Sequence, residues 1–283
     1  MLNRDVIGIL QGRLSPAVDG RLQAFPGPAW ENEFELAKAC GFGAMELVFE
    51  KNRSQQNPLS TEEGINRIQQ LSQTHGILVP SICMDYLIER PFVRASAGER
   101  LESISILKKL IVRGARLGIK RILVPILEAS EIRTEEDRGD VVASLKECLP
   151  LAENHHVELA LETSLSAEES LRLFKEIGQS FLKIYYDLGN AVALGYDAPR
   201  EIRLLGPLVT GVHVKDRRRG GPSVPLGTGD VDFPSCFRAL GEIGYRGPYM
   251  LQAARAEDYL GIARRQLRFV KEHLSLCRQE APT

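Results

Sequence analysis

Residues 99–126 read ERLESISILKKLIVRGARLGIKRILVPI. Glu99 to Leu117 mixes apolar and polar residues at helical spacing, which predicts an amphipathic helix. Gly118 follows, and a glycine there supplies the left-handed cap that other residues reach only with strain. Arg121–Ile126 is then nearly all apolar, as a strand buried on both faces should be. The same unit recurs along the chain. Ala29–Cys40, Gly41 and Ala44–Val48 form one copy. Ser60–His75, Gly76 and Leu78–Met84 form another, as do Phe233–Ile243, Gly244 and Tyr249–Gln252. Ser60 with Glu63, and Ser166 with Glu169, have the spacing of capping boxes that open helices.

Eight β-rich runs result: Val6–Gln11, Ala44–Val48, Leu78–Met84, Arg121–Ile126, Glu158–Glu162, Leu182–Asp187, Val209–Val214 and Tyr249–Gln252. Strands alternating with helices predict a parallel sheet. Spread over 283 residues they give roughly 35 per unit, which suits a closed (β/α)₈ TIM barrel. An open doubly wound sheet would usually carry a glycine-rich phosphate turn after its first strand. The chain has Gln11-Gly12-Arg13-Leu14-Ser15-Pro16 there. No linker interrupts the pattern, so residues 1–283 are expected to form a single α/β barrel domain.

Composition narrows the function. Lys and Arg number 36 against 37 Asp and Glu, a net charge of -1. A protein built to hold nucleic-acid backbone shows a basic excess, so no nucleic-acid partner is expected. The five scattered cysteines form no CxxC pair, which points to a reducing, cytoplasmic setting. No apolar run is long enough for a membrane span.

Barrels of this kind place their chemistry at the C-terminal ends of the strands. Those ends carry Gln11, Glu46, Asp85, Glu128, Glu162, Asp187, His213 and Gln252. The last four are 25, 26 and 39 residues apart, each near one repeat, and so fall on neighbouring strands. Two readings fit that spacing. Two carboxylates and an imidazole suit a divalent cation such as Mn²⁺, Mg²⁺, Co²⁺ or Zn²⁺. A salt-bridged rim around a core histidine fits as well.

The motifs Leu161-Glu162-Thr163, Asp187-Leu188-Gly189-Asn190, His213-Val214-Lys215-Asp216 and Pro225–Phe233 together resemble the sugar isomerase/epimerase superfamily with the xylose isomerase-like TIM barrel. The likeness runs from Gly8 to Gln252. It implies one divalent metal held by Glu162, Asp187, His213 and the residue at 252, and a sugar or sugar phosphate as substrate. It also implies Glu162 as a proton-transferring base. The family usually has Glu where Gln252 stands; a glutamine ligates only as a neutral donor and takes no proton near neutral pH. Asn190 falls at a substrate-contacting position. Arg219 falls where a sugar-binding arginine occurs, and Arg217 competes with it. Gln11 and Glu46 are further substrate-side candidates at strand ends, and Lys215 or Glu46 is the candidate second acid/base group. The resemblance therefore implies an isomerase or epimerase working through an enediolate. A keto-sugar dehydratase and a non-catalytic sugar-binding barrel remain as alternatives, the latter because of Gln252. A DNA-repair endonuclease of this fold needs several histidine ligands, and only His213 lies at a strand end. The sequence leaves the formation of a homo-oligomer open.

Overall fold

The structure is a computed structural model that describes residues 6–279. The first five and last four residues of the expected 1–283 domain lie outside the described residues. Eight parallel strands close into a barrel. They are β1 (Ile7–Leu10), β2 (Ala44–Val48), β3 (Ser81–Cys83), β4 (Arg121–Ile126), β5 (Glu158–Thr163), β6 (Leu182–Asp187), β7 (Val209–Val214) and, after a small antiparallel hairpin of β8 (Asp216–Arg217) and β9 (Ser223–Val224), β10 (Tyr249–Leu251). The connecting helices are α1 (Asn32–Cys40), α2 (Glu62–His75), α3 (Tyr86–Glu89), α4 (Ala97–Leu117), α5 (Glu135–Asn154), α6 (Ala167–Ile177), α7 (Leu188–Ala193), α8 (Ala198–Leu205), α9 (Phe233–Glu242) and α10 (Tyr259–Gln279).

Alternation along the strands explains both cores. Successive side chains point to opposite faces of a strand. Leu10, Ala44, Val48, Cys83, Leu123, Ala160, Tyr185 and Met250 form a small cluster inside the barrel. Their neighbours Ile9, Met45, Leu47, Ile82, Ile122, Val124, Leu159, Leu161, Ile184 and Leu251 join the larger cluster under the helices. Two steps along the inward rows lie Glu46, Asp85, Glu162, Asp187 and Gln252, and register sets His213 opposite Asp187 and Met250.

Local signals set the boundaries. β2, β4, β6 and β7 begin and end where the apolar runs do. β3 is shorter than the run Leu78–Met84, because Pro80 has no N–H for the ladder. Leu78 keeps only a lone bridge to Ala44. Gly118 ends α4 with φ 76°, so the chain turns straight into β4. Ser166 and Glu169 form the expected capping box. Ser60 and Glu63 do not. Thr61 caps α2 by accepting from Gly64 N, while Ser60 Oγ donates to the Ser54 carbonyl. Ser166→Ala should cost about 1 kcal/mol of stability, read as a lower urea midpoint at unchanged slope.

The β1–α1 crossover is held over the mouth by buried polar groups. Glu33 on α1, fully buried, accepts from Gly12 N (2.8 Å), Leu14 N (3.0 Å) and Ser15 Oγ (2.8 Å). The Arg255 guanidinium donates to the carbonyls of Gly12 and Ser15. Arg13 donates to the Leu22 carbonyl and to Gln23 Oε1. The Phe49–Pro58 stretch, a candidate lid on sequence grounds, is stitched to this crossover. Glu50 accepts from Arg21 (2.7 Å) and from Phe25 N, and Arg53 pairs with Asp19 (3.0 Å).

Candidate active site

Glu162 ends the inward row of β5, Asp187 closes β6, and His213 stands within β7. One oxygen of each carboxylate and one imidazole nitrogen lie within 4.8 Å of one another, all three residues being buried. His213 Nδ1 is 3.9 Å from Glu162 Oε2 and 3.8 Å from Asp187 Oδ2, too far for hydrogen bonds. Among the described residues, His213 Nδ1 and Gln252 Oε1 find no hydrogen-bond partner, although both are buried. Asp187 Oδ2 faces the Lys215 ammonium at 2.9 Å, outside hydrogen-bond geometry. Asp187 Oδ1 accepts from Asn190 N (2.8 Å), opening α7.

Buried polar atoms without partners are costly and need an explanation. Here they are lone pairs on neighbouring strand ends, the donor set that a divalent cation takes. The imidazole is prepared for it from behind. His213 Nε2 is 2.6 Å from Glu46 Oε1, so in the neutral ring Nε2 carries the proton and Nδ1 the lone pair. A ligating histidine usually rests on such a carboxylate. The residues therefore fit a divalent metal.

The electrostatics agree. Burial, with the nearby Asp187 carboxylate, pushes Glu162 up to about 7. Two carboxylates this close ionise together only against positive charge, which Lys215 beside Asp187 supplies in part and a bound cation would add to. Burial alone would lower the His213 pKa; Glu46, followed by Glu162 and Asp187, outweighs it, and the net direction is upward. Burial likewise opposes ionisation of Glu46, but His213, Ser81 and Tyr185 more than compensate and hold its carboxyl below the ordinary range.

Asn190 joins the other candidates. Its Nδ2 donates to Glu162 Oε1 (2.7 Å), and its Oδ1 accepts from Lys215 Nζ (3.2 Å) and Arg217 Nη1 (2.9 Å). Lys215 reaches Asp187 because Gly189 leaves it room: a Cβ there would sit 3.0 Å from the lysine Cγ and carbonyl oxygen.

Other candidates lie elsewhere. Arg219 is exposed, its backbone N–H donating to Asp230, while Arg217 is tied into the cluster. Glu46 does not reach the mouth as a substrate contact: it is fully buried, with its oxygens engaged by His213 and Ser81. Gln11 is off the inward row, and its Oε1 accepts from Val48 N (3.1 Å), bracing β1 against β2. Glu128 is exposed at positive φ (55°), beyond the end of β4 and off its inward row. The ring of strand-end polar groups is broken there.

One residue at the mouth has no signature in the sequence. Gln23 lies on the β1–α1 crossover. Its Nε2 donates to Asp85 Oδ2 (2.6 Å), and its Oε1 accepts from Gln252 Nε2 (2.8 Å). The amide of Gln252 is thereby oriented with its oxygen away from Gln23. A carboxylate at 252 would face Gln23 Oε1, lone pair to lone pair. Gln252→Glu should therefore tighten Mn²⁺ less on its own than together with Gln23→Ala, as measured by calorimetric titration of the metal-free protein.

Residues 34–273 match the family described as xylose isomerase-like TIM barrel. The L-ribulose-5-phosphate 3-epimerase UlaE of Shigella flexneri is 28% identical over 246 residues, covering 82% of this chain and 85% of its own. Among solved structures, an L-ribulose 3-epimerase superposes with a TM-score of 0.78 at 18% identity, over 97% of this chain and 96% of its own. A xylose isomerase-like TIM barrel protein from Mycobacterium smegmatis, in complex with magnesium, gives 0.71 at 16% identity, over 97% and 98%. At such identities the solved structures establish the fold.

Proposed function

The chain belongs to the xylose isomerase-like TIM barrel family, and from that premise we propose that it is a sugar isomerase/epimerase that inverts C3 of a ketose or ketose phosphate. The observation that carries the reading is the convergence of Glu162, Asp187 and His213 on one point, with buried lone pairs left over. Similarity to a ribulose-phosphate epimerase supports the substrate class.

Glu162, Asp187, His213 and the amide oxygen of Gln252 would hold the divalent cation. Bound there, the cation supplies Lewis acidity that stabilises negative charge on substrate oxygens. Glu162 takes the proton from the carbon beside the carbonyl. Asn190 keeps Glu162 Oε1 engaged and so fixes the carboxylate, with Oε2 turned to the Asp187–His213 point. Arg217, reaching the same Asn190, and Lys215 provide donors for a substrate oxygen or phosphate. Glu46 positions His213 and touches no substrate.

We take the whole chain as one cytoplasmic domain, in keeping with its five free thiols. The test is a panel of ketoses and ketose phosphates in D₂O with Mn²⁺, Mg²⁺, Co²⁺ or Zn²⁺, followed by NMR. Deuterium entering C3 supports the reading. A protein that exchanges no substrate proton with any of these ions would refute it and favour a binding barrel.

A further inference from the structure

Inversion at C3 needs a proton-transferring group on each face of the carbon, and Gln252 cannot be one of them. The two substitutes suggested by sequence are both unsuited. Glu46 is enclosed and engaged by His213 and Ser81. Lys215 is held to Asp187 and Asn190, on the same half of the mouth as Glu162. We propose that Asp85 is the second proton-transferring group, working on the face of C3 away from Glu162. The proposal rests on the epimerase reading above.

Four observations carry it. Asp85 follows Ser81 and Cys83 on the inward row of β3, so its carboxylate turns to the barrel axis. The candidate metal ligands occupy β5, β6, β7 and β10, one half of the ring, whereas β3 belongs to the other half. Asp85 accepts from two neutral groups, Gln23 Nε2 (2.6 Å) and Cys83 Sγ (3.2 Å), and among the described residues it forms no ion pair of the kind that holds Glu50 and Asp137, although the buried Arg13 guanidinium is near enough to interact with its charge. Finally, Gln23 ties it directly to Gln252, the position whose carboxylate is missing. The carboxylate absent from β10 is thus present across the mouth, one glutamine away. Burial raises the Asp85 pKa against the opposing effect of its two donors, so it holds a proton more readily than an ordinary aspartate.

The step balances as follows. Glu162 takes the C3 proton of the ketose. The C–H electron pair forms the C2–C3 double bond as the carbonyl pair moves onto oxygen, giving an enediolate. Protonated Asp85 then delivers its proton to the opposite face of C3 as the C2 carbonyl re-forms. Asp85 is left as carboxylate and Glu162 as acid, and exchange with solvent resets both. The reverse reaction starts at Asp85. Gln23 is a positioning residue, because it aims Asp85 and orients Gln252 together.

The experiment uses the Mn²⁺-loaded protein and L-ribulose 5-phosphate in D₂O, with NMR following C3 of the substrate and of its epimer. Wild type should label both epimers. Asp85→Asn should lower interconversion at least about 100-fold yet still label one epimer, the one whose proton faces Glu162. Glu162→Gln should show the opposite pattern. Asp85→Ala should regain conversion on addition of formate. Mn²⁺ affinity and urea midpoint should match wild type in Asp85→Asn. Undiminished conversion by Asp85→Asn overturns the inference alone. So does a loss of activity that only tracks weakened Mn²⁺ binding or folding, whereas wild-type exchange at C1 with none at C3 removes the C3-epimerase reading and this proposal with it. A wild type that exchanges no proton removes the epimerase reading itself, and this proposal with it.

Discussion

Glu162→Gln is expected to lower turnover by about 10²–10⁴-fold, the span usual for removing a general base. The substitution is close to isosteric. The single amide oxygen can keep the bond from Asn190 that Oε1 makes, which puts the amide nitrogen where Oε2 faced the Asp187–His213 point, and the equal size should keep circular dichroism and urea midpoint near wild type. The basicity is what disappears. A carboxylate can take a proton there, whereas an amide accepts none near neutral pH. Epimer conversion, followed by NMR in D₂O with Mn²⁺ present, checks it. Turnover that survives the change would move proton abstraction away from β5.

The largest effect on folding is expected at Glu46. This carboxylate is fully enclosed between His213, Ser81 and Tyr185. Glu46→Leu would leave the Nε2 proton of His213 buried without an acceptor, along with the hydroxyls of Ser81 and Tyr185. Removing one partner of a buried pair costs about 3–5 kcal/mol, a large share of the 5–15 kcal/mol typical of whole proteins. Urea unfolding should show it directly. Glu46→Gln keeps an oxygen for His213 and should fold far better, yet it no longer fixes the ring by charge. Its Mn²⁺ affinity should fall by about 10–100-fold, as when a carboxylate behind a ligating histidine is lost. Affinity unchanged in Glu46→Gln would show that the imidazole needs no such support.

Much of this molecule is legible from local chemistry. Arg121–Ile126 and Val209–Val214 read as buried strands because both of their faces are covered, and the barrel follows from repeating that unit. Glu162, Asp187 and His213 come together because a parallel barrel brings successive strand ends together. The failures share a cause, since they depend on parity or on distant parts of the chain. Glu128 looked equivalent to Glu162, yet it falls off the inward row by one residue and turns to solvent. Thr61 displaced Ser60 as a cap because the Ser60 hydroxyl is spent on Ser54. Gln23 lies in a stretch without periodicity. Its place is set by Glu33 and Arg13 gripping the crossover, and no spacing rule reports that.

The amide at 252 has a consequence for any divalent cation held at this point. Two carboxylates around a dication leave a cluster of zero formal charge, where a third would have made it anionic. Retention of a hard cation rises with the number of charged ligands. A neutral cluster would trade its ion with the surroundings instead of trapping it. Such a protein would leave purification largely stripped, and its working occupancy would rise and fall with the free manganese or magnesium around it.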